Sequence, residues 1–191
     1  MKTQLIIALK FLLVMTILLG IIYPFFMTGI AQLSYPSKAN GSLVLRNGKI
    51  IGSELIGQNF DSSIYFWSRP SATGYNPIPS GATNYGPTSD TLKKLVTARR
   101  ISFAAKNGMT DINAIPKEMI FASGSGLDPH ISPEAAMLQL GRVATARKFD
   151  ETKKQQVQQL IKNMTEEAQF SLLGEPRINV FALNLAMDNI K

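Results

Sequence analysis

The sequence predicts an α+β protein, with one N-terminal transmembrane helix followed by a single small mixed-sheet domain that contains about three helices. Two observations lead to this prediction. A run of 20 residues without charge, Phe11 to Ile30, lies near the N-terminus. Beyond it, strand-like segments come early and late, with three helical patterns between them. The roughly 160 residues that follow the apolar run correspond to one domain of ordinary size.

The apolar run predicts a transmembrane helix at residues 11–31, behind a short cytoplasmic N-terminus at residues 1–10. Twenty residues at about 1.5 Å each span the roughly 30 Å hydrocarbon layer of a bilayer. Lys2 and Lys10 precede the span, and every acidic residue lies beyond position 50. Basic residues favour the cytoplasmic side, so residues 32–191 are predicted to form an extracytoplasmic domain.

Two features of this segment leave alternatives open. Gly29-Ile30-Ala31 fits the small-x-small pattern of a signal-peptide cleavage site, but the apolar run exceeds the ~7–15 residues of a signal h-region. We therefore favour an uncleaved anchor. Pro24 is expected to kink the helix and to pack against a partner helix. Three basic residues that follow the span oppose the predicted orientation: Lys38, Arg46 and Lys49.

Three segments have strand character. Asn47-Gly48 lies between two apolar runs and predicts a hairpin, because both residue types accept positive φ. Residues 63–67 (SIYFW) are rich in aromatic and β-branched types and predict a second strand. Residues 178–187 (INVFALNLAM) alternate in part and predict a third. The Pro- and Gly-containing segment 69–87 predicts a long functional or flexible loop.

Three helices are predicted between these strands. The first runs from Ser89-Asp90 to Asn107-Gly108, with apolar residues at helical spacing. The second has Ser132 as its N-cap and Pro133 at its first position. The third begins near Asp150, and its amphipathic stripe runs from Val157 to Ala168.

Composition argues against two classes of function. The net charge is +7, but the basic residues occur singly or in pairs and never as a longer run. Nucleic-acid binding favours a continuous basic stripe, so no nucleic-acid partner is predicted. The chain has no Cys and one His, which leaves too few ligands for a zinc site of the usual type. No metal site is expected.

The segment 122–133 (ASGSGLDPHISP) is the strongest candidate for chemistry. Ser123, Ser125, Asp128 and His130 supply hydroxyls, a carboxylate and an imidazole, which suggests a membrane-anchored envelope hydrolase as the alternative function. Members of a catalytic triad usually converge from distant loops, so a Gly-rich turn leading to the Ser132 cap is favoured. A phosphate cradle is a further possibility, although the chain lacks a Walker motif.

Arg69 and Arg177 each adjoin a proline in uncharged surroundings. An arginine in so stiff a setting can fix a neighbouring loop by hydrogen bonds to carbonyl groups or to a carboxylate. Glu175 or Asp128 is the predicted partner. A structural role is favoured over ligand binding.

Taken together, six segments carry a family resemblance. They are YFWSRPSA, SGATNYGPT, ASGSGLDPHISPEAA, GRVATARK, LLGEPRINV and LNLAMD, in this order after one N-terminal span. The chain from Asn40 onward resembles the KdpC subunits of bacterial Kdp potassium-transporting ATPases. It departs from the family pattern at Ser68, Ala82 and Gly141, which affects only local loop geometry.

The resemblance implies that the chain acts as part of a complex and does not catalyse a reaction of its own. It implies an accessory, non-catalytic subunit of a high-affinity potassium pump in the plasma (inner) membrane. The implied partners are a channel-like potassium-binding subunit, a P-type ATPase subunit, a small membrane peptide and the lipid bilayer. The family's C subunit supports assembly and acts as a catalytic chaperone that raises the ATP affinity of the ATPase subunit. ATP and potassium are then handled by the partners, with no cofactor in this chain.

ATP is cytoplasmic, whereas the predicted domain is not. Coupling must therefore travel through the membrane helices or the channel-like subunit. A free-standing envelope binding module is the remaining alternative. The motif residues expected to be structural or partner-facing are Arg69, Pro70, Asn84, Gly124, Gly126, Asp128, His130, Arg142, Glu175, Arg177 and Asn184.

Overall fold

The computed structural model of the chain describes residues 1–190. Lys191, the last residue of the predicted domain at 32–191, lies outside the described residues. The chain divides into two compact units, Met1–Ser53 and a second unit that begins at Glu54. Each unit is described by itself below.

The first unit begins with a helix of 33 residues, Lys2–Ser34, that is long and apolar enough to cross a membrane. It consists of α1 (Lys2–Ile17), one π-helical turn (Leu18–Ile22) and α2 (Tyr23–Ser34). None of its residues is buried within the described chain. A helix of membrane-spanning length was expected at this position, and the structure contains one.

The π-helical turn lies directly before Pro24. Proline lacks an N–H group, and its ring crowds the carbonyl four residues earlier. In the turn before it, the Tyr23 N–H group donates to the Leu18 carbonyl, five residues back. The widened turn therefore accommodates the proline within a continuous helix. Packing of this region against a partner helix stays a prediction.

The predicted hairpin is present in the first unit. After a short helix, α3 (Pro36–Ala39), strands β1 (Leu43–Arg46) and β2 (Lys49–Ser53) pair antiparallel. Asn47 and Gly48 form the turn, with φ of 53° and 75°. Positive φ at both positions is what a two-residue hairpin turn requires.

The second unit contains four helices of eight or more residues among those described: α4 (Asp90–Asn107), α5 (Pro133–Ala146), α6 (Glu151–Asn163) and α7 (Val180–Met187). Their apolar faces enclose one core. The first three confirm the predicted helices. Their N-caps are Ser89, Ser132 and Asp150, of which Ser132 was predicted as a cap and the other two as the starts of their helices. Each of these side chains accepts a backbone N–H group of the first turn.

The third helix is shorter than its stripe suggested. The predicted continuation to Ala168 is wrong, because α6 ends at Asn163. The Thr165 hydroxyl donates to the Ile161 carbonyl, and the chain then turns into a hairpin in which Glu166 pairs with Arg177. Backbone pairing across this hairpin replaces the helical hydrogen bonds.

The predicted strand at 178–187 is wrong beyond its first two residues. Strand β4 (Ile178–Asn179) pairs antiparallel with β3 (His130–Ile131), and α7 follows at once. The Asn179 side chain accepts the Ala182 N–H group at 3.0 Å, which caps the helix. The strands thus form two separate two-stranded sheets, and with the helices they confirm the α+β class.

The predicted strand at 63–67 is also wrong. Residues 63 and 64 lie in a turn, in which the Tyr65 N–H group donates to the Ser62 carbonyl at 3.2 Å, and the next backbone groups bond to side chains and not to a neighbouring strand. Asn184 on α7 accepts the Phe66 N–H group at 2.8 Å and donates to its carbonyl at 2.9 Å. Gln139 on α5 accepts the Trp67 N–H group at 2.8 Å. Carboxamides of two helices therefore take the place of a strand partner. We call residues 63–67 the clamped segment.

Candidate functional site

One cavity of about 580 Å³ brings five of the predicted site residues together: Arg69, Asp128, His130, Glu175 and Arg177. Other charged groups on its walls come from Lys117, Glu118 and Glu134. Both acidic and basic groups thus line the opening. Over residues 1–190, no group of three or more His, Asp or Glu side chains is arranged to hold a metal ion.

Asp128 is the centre of the charged network in this cavity. The Arg69 Nη1 atom donates to Asp128 Oδ2 at 2.6 Å, which confirms one of the two partners predicted for Arg69. The backbone N–H group of His130 donates to Asp128 Oδ1 at 2.9 Å, and the Nδ1 atom of the His130 ring lies 3.4 Å from the same oxygen. The Arg69–Asp128 ion pair thus joins the loop that begins at residue 69 to the loop before β3.

The pKa of Asp128 reflects this setting. Partial burial would raise it, but hydrogen bonds from His130 and Arg69 and the positive charge of Arg69 together lower it from 3.8 to about 2. The carboxylate is therefore ionised at any physiological pH, and it acts as a permanent acceptor for both neighbours.

Arg177 has a different partner from the one predicted. Its Nε atom donates to Glu166 Oε2 at 3.0 Å, and neither Glu175 nor Asp128 takes this place. The reason is the hairpin, in which Glu166 and Arg177 already pair through their backbones. Both side chains are about half exposed, so the ion pair contributes little stability.

Gly126 permits a close approach between two loops. Its φ is +71°, and a Cβ atom there would lie 2.8 Å from Thr73 Oγ1 and 3.1 Å from the Gly81 carbonyl oxygen. The Gly81 N–H group donates to the Ser125 carbonyl at 3.0 Å. The predicted loop 69–87 is therefore held against the 122–133 segment.

The other loop residues have more local roles. The Pro70 carbonyl accepts the Ser123 N–H group at 3.3 Å. Asn84 adopts a φ of +54° beside a small cavity ahead of α4, and a Cβ atom at Gly124 would meet open space. Ser123 is only 3% exposed, and no hydrogen bond joins it to His130 in the described part of the chain. The structure thus does not bring Ser123 and His130 into contact as nucleophile and base, and the Ser125 hydroxyl accepts the Leu127 N–H group at 3.1 Å.

Arg142 contacts the clamped segment and does not line the cavity around Asp128. Its guanidinium donates to the Ser63 carbonyl at 2.7 Å and to the Tyr65 carbonyl at 3.0 Å, and it lies 3.7 Å from the centre of the Trp67 ring. Arg147 donates to the intervening carbonyl at 2.7 Å. Burial lowers the pKa of Arg142 to about 10, so it remains charged at neutral pH. With Asn184, the two arginines satisfy most of the carbonyls of the clamped segment.

Two important residues were missed in the sequence. Gly57 donates its N–H group to the Leu127 carbonyl at 2.7 Å, and a Cβ atom there would lie 2.7 Å from the Asp128 carbonyl oxygen. Nothing in the local sequence marks this contact. Gln139 is fully buried and holds Trp67. A polar residue on the apolar face of α5 was a usable signal for it.

The fold and the site together define an α+β protein with one N-terminal helix long and apolar enough to cross a membrane, whose polar motif residues mainly hold its loops in place. Residues 5–189 match the family described as KdpC, K+-transporting ATPase, c chain. The chain is 50% identical over 187 residues to the potassium-transporting ATPase KdpC subunit of Geobacter metallireducens, covering 96% of both chains. It is 48% identical over 177 residues to that of Polynucleobacter asymbioticus, covering 91% of this chain and 92% of the relative. The chain belongs to the KdpC family, which confirms the resemblance.

Proposed function

We propose that this chain is the accessory, non-catalytic subunit of an ATP-driven potassium uptake pump, in which it supports assembly and raises the ATP affinity of the ATPase subunit indirectly. The observation that carries the proposal is the family match over residues 5–189, together with relatives of nearly the same length that are named as KdpC subunits of potassium-transporting ATPases.

The site supports a structural role. Arg69 and His130 both contact Asp128, and Asp128 keeps its charge through these contacts. Residues held in this way fix the geometry of the loops that a partner meets. ATP and potassium are then bound by other subunits, and this chain supplies no cofactor.

The membrane helix supports the proposed partners. Its apolar side chains are exposed on all sides of the described helix, so both lipid and other membrane helices can cover them. The proposed partners are a channel-like potassium-binding subunit, a P-type ATPase subunit and a small membrane peptide.

The proposed orientation places the N-terminus in the cytoplasm and the second unit outside it, because Lys2 and Lys10 precede the span. Cytoplasmic ATP is then out of reach of the domain. The effect on ATP affinity therefore requires a conformational change in the membrane helices or in the channel-like subunit. Both the binding of this chain and the binding of ATP must shift the equilibrium of that change.

The test is to measure the ATP dissociation constant of the ATPase subunit in membranes that contain the other subunits, with and without this chain. Omission is expected to weaken ATP binding at least fivefold, since coupling energies of about 1–3 kcal/mol are typical. Adding the chain back should restore tight binding. Unchanged ATP binding would contradict the proposal, and substrate turnover by the chain alone that is lost with His130→Ala would favour the hydrolase alternative.

A further inference from the structure

A short hairpin after α6 exposes a concentrated apolar tip. Phe170, Leu172 and Leu173 are 88%, 84% and 62% exposed. Together they present roughly 470 Å² of surface, taking about 200 Å² for each fully exposed residue of this size. That area equals the largest apolar patch of a typical soluble monomer, and here it lies on a single turn. We call residues 170–173 the tip.

The tip is held in place by its own backbone. Glu166 and Arg177 exchange two hydrogen bonds of 2.8 and 2.9 Å, and Gln169 and Leu173 exchange two of 2.9 Å. Phe170 adopts a φ of +54°, a conformation that bulky residues seldom take. The ladder thus presents the tip as a formed turn, so its docking would cost little ordering entropy.

The charges around the tip indicate what covers it. Three carboxylates flank it in sequence, those of Glu166, Glu167 and Glu175, against the single positive charge of Arg177. Anionic lipid headgroups repel such a rim. An apolar centre with a polar rim is the usual anatomy of a protein–protein interface.

We propose that the tip docks into an apolar pocket with a basic rim on another subunit of the potassium-transporting ATPase. The inference rests on the proposed function, since it requires the complex. The proposal assigns a partner contact to the LLGEPR segment. The residues around Asp128 and the contacts of the clamped segment instead hold the domain together.

Protection of an introduced cysteine tests this docking, since the chain has no native Cys. Leu172→Cys in the full chain is labelled with a water-soluble maleimide, once in membranes with all subunits and once in membranes with this chain alone. Labelling is expected to be at least tenfold slower in the complete complex. Ile101→Cys, on α4 and 57% exposed, is the matched control and should react equally fast in both.

Three outcomes overturn the proposal. Equal protection without the other subunits would mean that the bilayer or a second copy covers the tip. Fast labelling in both preparations would mean that nothing covers it. Equal slowing at Ile101→Cys would mean a general loss of access. If the complex forms while the tip stays reactive, only the docking fails; if no complex forms with the unmodified chain, the proposed function fails.

A second variant measures what the contact contributes. Phe170→Ser combined with Leu172→Ser removes exposed apolar groups only, so the thermal unfolding midpoint of the full chain should be unchanged. The amount of the other subunits retained in mild detergent should fall about tenfold. Full retention with an unchanged midpoint would contradict the docking.

Discussion

Replacing Arg142 with alanine is expected to lower the free energy of unfolding of the second unit by about 3 kcal/mol or more. The guanidinium donates to the Ser63 and Tyr65 carbonyls and stacks on Trp67. Alanine would leave the partly buried Tyr65 carbonyl and the buried Gln139 side-chain oxygen without this donor, and it would remove the cation–π contact. Lysine should recover little of the loss, because an ammonium group cannot reproduce the planar fork.

The measurement is urea unfolding of the full chain in detergent, followed by the fluorescence of Trp67, its one tryptophan. Arg177→Ala is the matched control, since its ion pair with Glu166 is about half exposed and should contribute about 0–1 kcal/mol. If Arg142→Ala lowers the free energy of unfolding by less than about 1 kcal/mol, the contacts of Arg142 with the clamped segment do not stabilise the domain.

Asn184→Leu is expected to cost about 2–4 kcal/mol. Leucine has a similar volume but leaves both the N–H group and the carbonyl of Phe66 buried without a partner. Asn184 is only 2% exposed and Phe66 is fully buried, so water cannot replace the lost hydrogen bonds. The same unfolding measurement gives the magnitude.

Asn189→Leu, two residues beyond the end of α7 and exposed, is the control and should change stability by less than about 0.5 kcal/mol. Amide hydrogen exchange adds a local readout. The Phe66 amide should exchange faster in Asn184→Leu than in the unaltered chain. Equal stability and equal exchange would rule out the carboxamide as the partner of this backbone.

Features set by neighbouring residues were predictable from the sequence. The Asn47-Gly48 turn needs positive φ at two adjacent positions. The caps Ser89, Ser132 and Asp150 each bond within three residues. In both cases the cause and its effect lie within one turn of chain, so a single sequence is sufficient to see them.

The two mispredicted strands failed for opposite reasons. Residues 63 and 64 form a turn, and the groups that bond to the next two residues come from Gln139 and Asn184, which are 72 and 118 residues away from Trp67 and Phe66. At residues 178–187 the cap of Asn179 outweighed a partial alternation that suggested a strand. Propensity cannot show where a distant partner lies.

The site was predictable to the same degree. Asp128 was one of the two carboxylates predicted as the partner of Arg69, and in the structure it is the one that Arg69 contacts. The partner of Arg177 did not, because it depends on the register of a hairpin that a helical pattern concealed. The role of Gly57 could not be predicted, since a close approach between backbones that are distant in sequence produces no local sequence pattern.

The central claim is that the domain acts on the pump from outside the cytoplasm. Its most direct test is labelling of Ser37→Cys with a membrane-impermeant maleimide in intact cells, with Thr3→Cys as the control on the opposite side of the span. Both positions are exposed, and no native cysteine interferes. We predict that Ser37→Cys is labelled in intact cells and Thr3→Cys only after permeabilisation. Labelling of Thr3→Cys but not Ser37→Cys in intact cells would contradict the account.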